Sequence, residues 1–173
     1  ELTRTITRKF NQRFGKTFKE PKPLLLKIGQ KIMALNDPKK KMSKSLPETC
    51  LYLFDEPEEI KKKIMSAVTD PGKVIKYDLK KKPGISNLLT IYSLFSNKSI
   101  KKLEKDFRGK GYEEFKKSLI KLLINSLEPF RSKRKELLNR EVYLKEILEK
   151  GRKKAQIIAQ STIAEVKRKM GLI

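Results

Sequence analysis

The chain is organised around a lysine-rich stretch, Asp37-Pro38-Lys39-Lys40-Lys41-Met42-Ser43-Lys44-Ser45-Leu46-Pro47. A proline near each end resists both a continued helix and a central strand, so this stretch is predicted to be a loop. Ammonium groups beside serine hydroxyls and backbone N–H groups are chemically suited to bind a polyphosphate. The charge run by itself favours a solvated basic loop or a targeting patch over a polyphosphate site, and the three alternatives stay open at this point.

The whole chain is strongly basic. Its 173 residues contain 43 Lys plus Arg against 20 Asp plus Glu, which gives a formal net charge of +23. This excess is more than solubility requires and favours a polyanionic partner, either nucleic acid or an anionic membrane surface. Lysine-rich genome composition is an alternative source of part of the charge. The apolar residues, 38% of the chain, recur in phase, which predicts a packed core.

The cysteine and histidine content excludes several kinds of site. One cysteine and no histidine exclude a disulfide framework, a Cys/His zinc site and a histidine-dependent catalytic triad. Cys50 begins the apolar run 50–54 and is predicted to be a buried structural thiol. No apolar run is long enough to span a bilayer and no signal-peptide pattern is present, so no membrane partner is expected. The chain opens with Glu1 inside a helix-like pattern, which predicts a fragment of a longer protein.

The residues around the loop predict a short α/β region. Residues 1–15 are predicted to form an amphipathic helix that ends at Gly15. Residues 24–28 predict a short strand or extended segment, and residues 51–54 predict a buried strand beyond the loop. A loop between extended segments suits the ligand-binding edge of an α/β sheet. The apolar face of the first helix is predicted to hold Leu2, Ile6, Phe10 and Phe14.

Beyond residue 54 the pattern predicts helices. Asp55 is predicted to cap the first of them and Ser99 a later short one. Pro129 is predicted to kink or end a longer helix. The last helix is predicted over residues 141–170, with an apolar stripe that faces the core.

Several runs together identify a family resemblance. Residues 41–45 read KMSKS, residues 63–70 read KIMSAVTD, residues 82–89 read KPGISNLL and residues 109–112 read GKGY, with ELTR at residues 1–4. In this order and spacing they resemble the bacterial-type tryptophanyl-tRNA synthetases, class I enzymes whose second signature motif is KMSKS. The resemblance covers essentially the whole chain.

The family's first signature motif contains histidine, and this chain has none. The resemblance therefore implies that the chain is the C-terminal half. The implied fold is mainly α. Residues 1–54 would be the C-terminal remnant of a Rossmann-like nucleotide-binding domain that includes the KMSKS loop. Residues 55–173 would be a helical domain that approaches the anticodon region of tRNA.

The resemblance also implies an activity and its residues. The full enzyme would be a cytoplasmic homodimer that activates tryptophan with Mg-ATP and charges its tRNA, and this chain alone would be inactive. Lys44 would contact the transition state with Lys41 assisting, through positioning and charge compensation. No metal ligand is expected from this chain. The residues implied to bind ATP are Ile32, Lys41, Met42, Ser43, Lys44 and Ser45.

One departure and two alternatives accompany this interpretation. Leu46 follows the motif where family members often have Asp, which could hold the loop or cap the next turn. The first alternative is a non-catalytic basic helical module that binds structured RNA. The second is a helix bundle on a membrane surface, which the in-phase apolar stripes and few aromatic residues disfavour.

Overall fold

Helices dominate the structure, a computed structural model that describes residues 1–25 and 28–173. The only β pairing within these ranges is an isolated antiparallel bridge between Met33 and Lys41. The mainly α fold class is therefore confirmed, whereas the Rossmann-like origin of residues 1–54 stays a prediction. The α helices are α1 (Leu2–Phe14), α2 (Pro57–Ser66), α3 (Pro83–Ser96), α4 (Ile100–Asp106), α5 (Tyr112–Leu138) and α6 (Glu141–Lys169), with a 3-10 helix at Pro47–Thr49.

The chain divides into two compact units. The first comprises Glu1–Leu24 and Glu136–Ile173, and the second comprises Leu25–Lys135. The functional boundary predicted between residues 54 and 55 falls inside the second unit and stays a prediction. The KMSKS loop and the three downstream motifs all belong to the second unit.

Helix α3 is the centre of the second unit. Ten of its 14 residues are buried, and Pro83 occupies its first turn, where a missing N–H costs nothing. Burial ends at Ser93, and Phe95 in the last turn of the helix is 37% exposed. The fully buried hydrophobic side chains of α3 and of the elements packed against it include Ile60, Ile64, Ile85, Leu88, Leu89, Leu103, Phe115, Leu119 and Leu123.

The start of α2 corrects one prediction. Glu56, not Asp55, is the N-cap, and it forms a capping box with Glu59. Asp55 is buried and accepts a hydrogen bond from Lys63 Nζ at 2.7 Å. A buried carboxylate needs a charged partner, and Lys63 supplies it from within α2. The N-cap prediction for Ser99 is confirmed, since its side chain accepts a hydrogen bond from the Lys102 N–H.

The predicted buried strand at residues 51–54 is wrong. Leu53 and Phe54 are 46% and 45% exposed, and no strand forms there. The Tyr52 N–H donates to Asp55 Oδ2 at 2.8 Å, so it turns the chain instead of pairing with a neighbouring strand. A strand is also predicted at residues 24–28, but Leu24 and Leu25 form none. Leu26 and Lys27, in the middle of that prediction, lie outside the described residues.

Helix α5 does not end at Pro129. It continues to Leu138, with a buried arginine two residues beyond the proline. Arg131 Nη2 donates to the Ile124 carbonyl at 2.9 Å and to Glu128 at 2.7 Å. These bonds satisfy acceptors in the turn that precedes the proline, which lacks an N–H of its own.

Helices α1 and α6 belong to the first unit and confirm the two predicted helices. Gly15 follows α1 with a φ of 79°, and Leu2 and Ile6 are 74% and 55% exposed. Within α6 only Val166 is buried, so the predicted core stripe is wrong for most of the helix. Periodicity indicates a helix, but it does not show what covers the apolar side. The exposed apolar residues of α6 include Val142, Ile147, Leu148, Ile157, Ile158 and Ile163.

Cys50 is buried, as predicted, and burial raises the pKa of its thiol. In residues 1–25 and 28–173, none of the helices has both the length and the apolar character needed to cross a bilayer.

Candidate functional site

The lysine loop is a turn that two short antiparallel segments hold at its base. The Met42 N–H donates to the Ile32 carbonyl at 2.9 Å, and the Ala34 N–H donates to the Lys40 carbonyl at 2.8 Å. These bonds place Ile32, Met33 and Lys41 side by side. The loop predicted from its prolines is therefore confirmed, and the bonds fix where it starts and ends.

Asp37 shapes the tip of the loop. Its Oδ1 accepts the Lys39 N–H at 3.1 Å, its carbonyl accepts the Lys40 N–H at 3.0 Å, and its Oδ2 lies 3.3 Å from Lys40 Nζ. The Lys39 backbone bond, with the Lys40 ammonium, lowers the pKa of Asp37. Asp37 thus pairs with one lysine of the run.

Lys41 and Lys44 have anchored main chains and exposed side chains. The Met33 bridge holds Lys41, and the Tyr52 hydroxyl donates to the Lys44 carbonyl at 2.9 Å. In the part of the chain that the structure describes, neither ammonium forms an ion pair. Two cations on a fixed loop are thus available to an anionic ligand.

The two serines of the motif form a second turn. The Leu46 N–H donates to the Ser43 carbonyl at 3.1 Å, and the Ser45 N–H lies 3.4 Å from Ser43 Oγ. Leu46 precedes the 3-10 helix, and it offers no side-chain cap. The helix therefore begins without the cap that an Asp at this position would provide.

Asn87, in the middle of α3, fixes the base of the loop from behind. Its Oδ1 accepts the Met33 N–H at 2.9 Å, and its Nδ2 donates to the Met33 carbonyl at 2.8 Å. Asn87 is 6% exposed, so both bonds replace water that cannot reach these groups. The Asn87 amide thus pairs with both backbone groups of Met33, as the backbone of a neighbouring strand would.

The three downstream motifs meet in one cluster. Lys82 Nζ donates to Asp70 Oδ1 at 2.8 Å and to the Tyr112 hydroxyl at 3.0 Å, and that hydroxyl donates to Asp70 Oδ2 at 2.7 Å. Burial of Asp70 opposes its ionisation, but the bonds from Lys82 and Tyr112 outweigh burial and hold the pKa of Asp70 below its usual value. Each motif therefore contributes one residue to a structural cluster, in which the Lys82–Asp70 ion pair is bonded to the Tyr112 hydroxyl.

Residue Gly84 of the second motif brings α3 against the end of the first motif. A Cβ at this position would lie 2.2 Å from the Val68 carbonyl oxygen. The Val68 N–H in turn donates to the Leu35 carbonyl at 2.8 Å, just before the lysine loop. Close backbone contact thus connects α3 to the loop.

The second unit contains an apolar cavity and a basic cavity of different character. An apolar cavity of about 290 Å³ adjoins the loop and includes Ile32, Met42 and Tyr52 in its lining. A basic cavity of about 480 Å³ lies between residues 73–76 and residues 104–111. Across the described ranges, no group of three or more acidic or cysteine side chains could hold a metal ion.

Comparison with known proteins identifies the class. Residues 1–128 match the family model described as tRNA synthetases class I (W and Y), and the chain belongs to this family. More specifically, it resembles the C-terminal half of bacterial tryptophan–tRNA ligases. The expected family resemblance is confirmed.

Two sequence relatives show the extent of the match. The chain is 47% identical to the tryptophan–tRNA ligase of Helicobacter pylori and 45% identical to that of Caldanaerobacter subterraneus, over its full length in both cases. It covers 53% of each relative. The chain therefore spans about half the length of the curated relatives it matches.

Solved structures agree. The tryptophanyl-tRNA synthetase of Mycoplasma pneumoniae matches with a TM-score of 0.88 at 31% identity, over 99% of this chain and 52% of that one. The Campylobacter jejuni enzyme, solved with ADP and tryptophan, matches with a TM-score of 0.67 at 31% identity, over 98% of this chain and 52% of that one.

The structure also shows two residues that the sequence interpretation missed. The apolar run 50–54 predicts that Tyr52 lies in a buried strand, and Asn87 stands out in the sequence only as part of the motif at residues 82–89. A polar amide inside the apolar run of α3 was the available signal for Asn87, because a buried polar group needs a partner. Tyr52 carried no such signal.

Proposed function

We propose that the chain supplies the C-terminal half of a tryptophan–tRNA ligase. The observation that carries this proposal is the state of Lys41 and Lys44, whose peptide groups are held while their ammonium groups stay exposed. Such an arrangement provides positive charge at a defined place without collapse onto a carboxylate. The family membership supports the assignment of this loop to ATP.

The proposed chemistry needs no nucleophilic side chain. A carboxylate oxygen of tryptophan bonds to the α-phosphorus of ATP, and the bond from that phosphorus to the bridging oxygen breaks, which releases pyrophosphate. A hydroxyl at the 3′ end of tRNA then attacks the aminoacyl carbonyl, and AMP leaves. Charge accumulates on the departing phosphates in the first step, where preorganised cations have their largest effect.

Each residue of the loop has a proposed role in this step. Lys44 contacts the phosphates in the transition state and Lys41 assists. Ser43 and Ser45 bind phosphate through hydroxyl or backbone groups, and Ile32 lies beside the adenine. Met42 completes the ATP-binding residues through its position between Lys41 and Ser43.

Magnesium is proposed as part of the substrate. Lysine side chains do not coordinate cations, so the loop fits the phosphate oxygens of Mg-ATP and not the metal itself. Tryptophan is proposed to bind mainly through residues of the other half of the ligase. The whole ligase is proposed to be a cytoplasmic homodimer.

The basic cavity is the proposed tRNA contact. Its lining includes Lys73, Lys76, Arg108 and Lys110, whereas its carboxylate, Glu104, accepts the Tyr77 N–H at 2.6 Å. Positive charge in a concave surface attracts phosphodiesters. The net charge of +23 extends this attraction over the whole chain.

The first experiment changes one charge of the loop in the full-length ligase. Lys44→Ala is expected to slow tryptophan-dependent ATP–pyrophosphate exchange by on the order of 10²–10³, since one preorganised cation is lost. Tryptophan binding should barely change. Lys39→Ala is the matched control, because Lys39 belongs to the same lysine run but is bound to Asp37 through its backbone. Exchange at the wild-type rate in Lys44→Ala would contradict the assignment.

A second experiment uses the 173-residue chain alone. We expect no amino-acid activation, because half of the proposed site is absent. Tryptophan-dependent exchange by the purified chain would refute this prediction.

A third experiment separates the ligase from the two alternatives. Titrations with tRNA, ATP and anionic vesicles distinguish a ligase half from a non-catalytic RNA-binding module and from a membrane-surface bundle. We expect the double change of Lys73 and Arg108 to alanine to weaken tRNA binding. The slope of log K for tRNA binding against log salt concentration should become shallower by about 2, one for each lost phosphate contact. Lys121→Ala is the control, an exposed lysine of α5 outside the cavity. Equal effects of the two variants would remove the cavity from the proposed RNA surface.

A further inference from the structure

Tyr52 makes an unusual contact with the lysine loop. Its hydroxyl donates to the main-chain carbonyl of Lys44 at 2.9 Å. Within residues 1–25 and 28–173 this is the only hydrogen bond that reaches Lys44. The carbonyl side of the Lys44–Ser45 peptide group is therefore held by one phenol.

Tyr52 itself is held firmly from the other side. Its N–H donates to Asp55 Oδ2 at 2.8 Å, and Lys63 Nζ donates to the same oxygen at 2.7 Å. Lys63 Nζ also lies 4.8 Å from the centre of the Tyr52 ring, a cation–π distance. Asp55 is 5% exposed, so this cluster is shielded from water. Tyr52 thus connects the loop to the start of α2.

The Tyr52 side chain also contacts the apolar surface under the loop. With Ile32 and Met42 it lines the cavity of about 290 Å³. Removal of the hydroxyl alone would leave these ring contacts and the cation–π contact in place. The hydrogen bond to Lys44 can therefore be tested without disturbing the packing.

We propose that Tyr52 is a positioning residue for Lys44. Its hydroxyl holds the Lys44 peptide where the exposed ammonium can reach a polyphosphate, and it does so without touching the ligand. This inference rests on the proposed function for the role of Lys44, but the contact itself can be tested in this chain alone. Without the bond, the loop samples more positions, and a smaller fraction of these positions places the Lys44 ammonium near the phosphates.

The first test measures the loop in the 173-residue chain by limited trypsin digestion. Tyr52→Phe should speed cleavage after Lys44 about fivefold, the factor that one neutral hydrogen bond supplies. Cleavage after Lys154 in α6 is the internal reference and should not change. Tyr143→Phe, a tyrosine on α6, is the matched control and should resemble the wild type. Unchanged cleavage after Lys44 in a folded Tyr52→Phe chain would overturn the inference.

Amide hydrogen exchange gives a second reading of the same variant. Exchange at residues 43–46 should accelerate in Tyr52→Phe, and exchange within α3 should stay at the wild-type rate. Equal acceleration in α3 would mean that the hydroxyl stabilises the whole unit, which would overturn a role specific to the loop.

The second test uses the full-length ligase. Tyr52→Phe should lower kcat for ATP–pyrophosphate exchange about fivefold and leave the KM for tryptophan unchanged. Faster proteolysis with an unchanged or raised kcat would overturn the positioning role. Absence of exchange in the wild type would count against the proposed function, whereas the digestion still decides whether Tyr52 holds the loop.

Discussion

Replacement of Gly84 by alanine tests how closely α3 approaches the backbone of Val68 and Thr69. The added Cβ would lie 2.2 Å from the Val68 oxygen, 3.0 Å from the Val68 carbonyl carbon and 3.1 Å from Thr69 Cα. All three are backbone atoms, so no side-chain rotation can relieve the contacts. Either α3 or residues 68–69 must shift.

The expected free-energy change has two opposing parts. Alanine is better than glycine in a helix interior by about 1 kcal/mol, which is the upper limit of the gain at Gly84 in the first turn of α3. Overpacking a close contact costs about 1–3 kcal/mol, and the backbone contacts at Gly84 place the variant at the upper end. The net result is a loss of about 2 kcal/mol in the free energy of unfolding. A shift of Val68 would also weaken its bond to Leu35 at the base of the lysine loop.

Urea unfolding followed by circular dichroism measures the loss, and amide exchange in α3 shows where it occurs. The matched control is Gly151→Ala in α6, where an added Cβ would meet nothing within 4 Å. That variant should slow amide exchange in α6 by an amount that corresponds to about 0.5–1 kcal/mol. A Gly84→Ala chain that unfolds at or above the wild-type urea concentration would refute the reasoning.

Three further predictions concern single contacts. Asn87→Ala should lower the free energy of unfolding by about 1–3 kcal/mol, because two buried Met33 groups lose their partner, and urea unfolding would show it; an unchanged midpoint would contradict this. Leu46→Asp adds the missing cap to the following 3-10 helix, so it should raise the free energy of local opening there by up to about 1 kcal/mol. Amide exchange in that helix should slow accordingly, and unchanged exchange would argue against the cap. Hydrogen bonds from Arg8 and then Arg4 lower the pKa of Glu20 from 4.5 to about 2. The resulting stabilisation is present above pH 4.5 and lost as the pH falls towards 2. Glu20→Gln should remove this pH dependence from amide exchange in α1, and a dependence that persists would disprove its source.

Local patterns predicted most helices correctly, because a helix depends on contacts within a few residues. Ser99 caps α4 as expected, and Gly15 follows α1 with the left-handed backbone that suits glycine. Asp55 shows the limit of such reasoning. It has the chemistry of a cap, but it pairs with Lys63 eight residues away, and Glu56 caps the helix instead.

The apolar stripe of α6 shows a second limit. Its spacing correctly predicts a helix, yet Leu148 and Ile158 are 71% and 72% exposed. A hydrophobic period states which residues share a face. It does not state whether another element covers that face, since burial depends on the whole fold.

The sequence by itself determined the helices, the lysine loop and the family. These rest on proline positions, charge, periodicity and the spacing of short motifs, all of which can be read along the chain. Only the tertiary structure decided how Lys41 and Lys44 are held. Asn87 reaches Met33 across 54 residues, and the Tyr52 hydroxyl reaches Lys44 only because Asp55 turns the chain at residue 52. Such contacts form only when folding brings the groups together, and at Asn87 folding also excludes water from them, so a local sequence pattern does not predict these contacts.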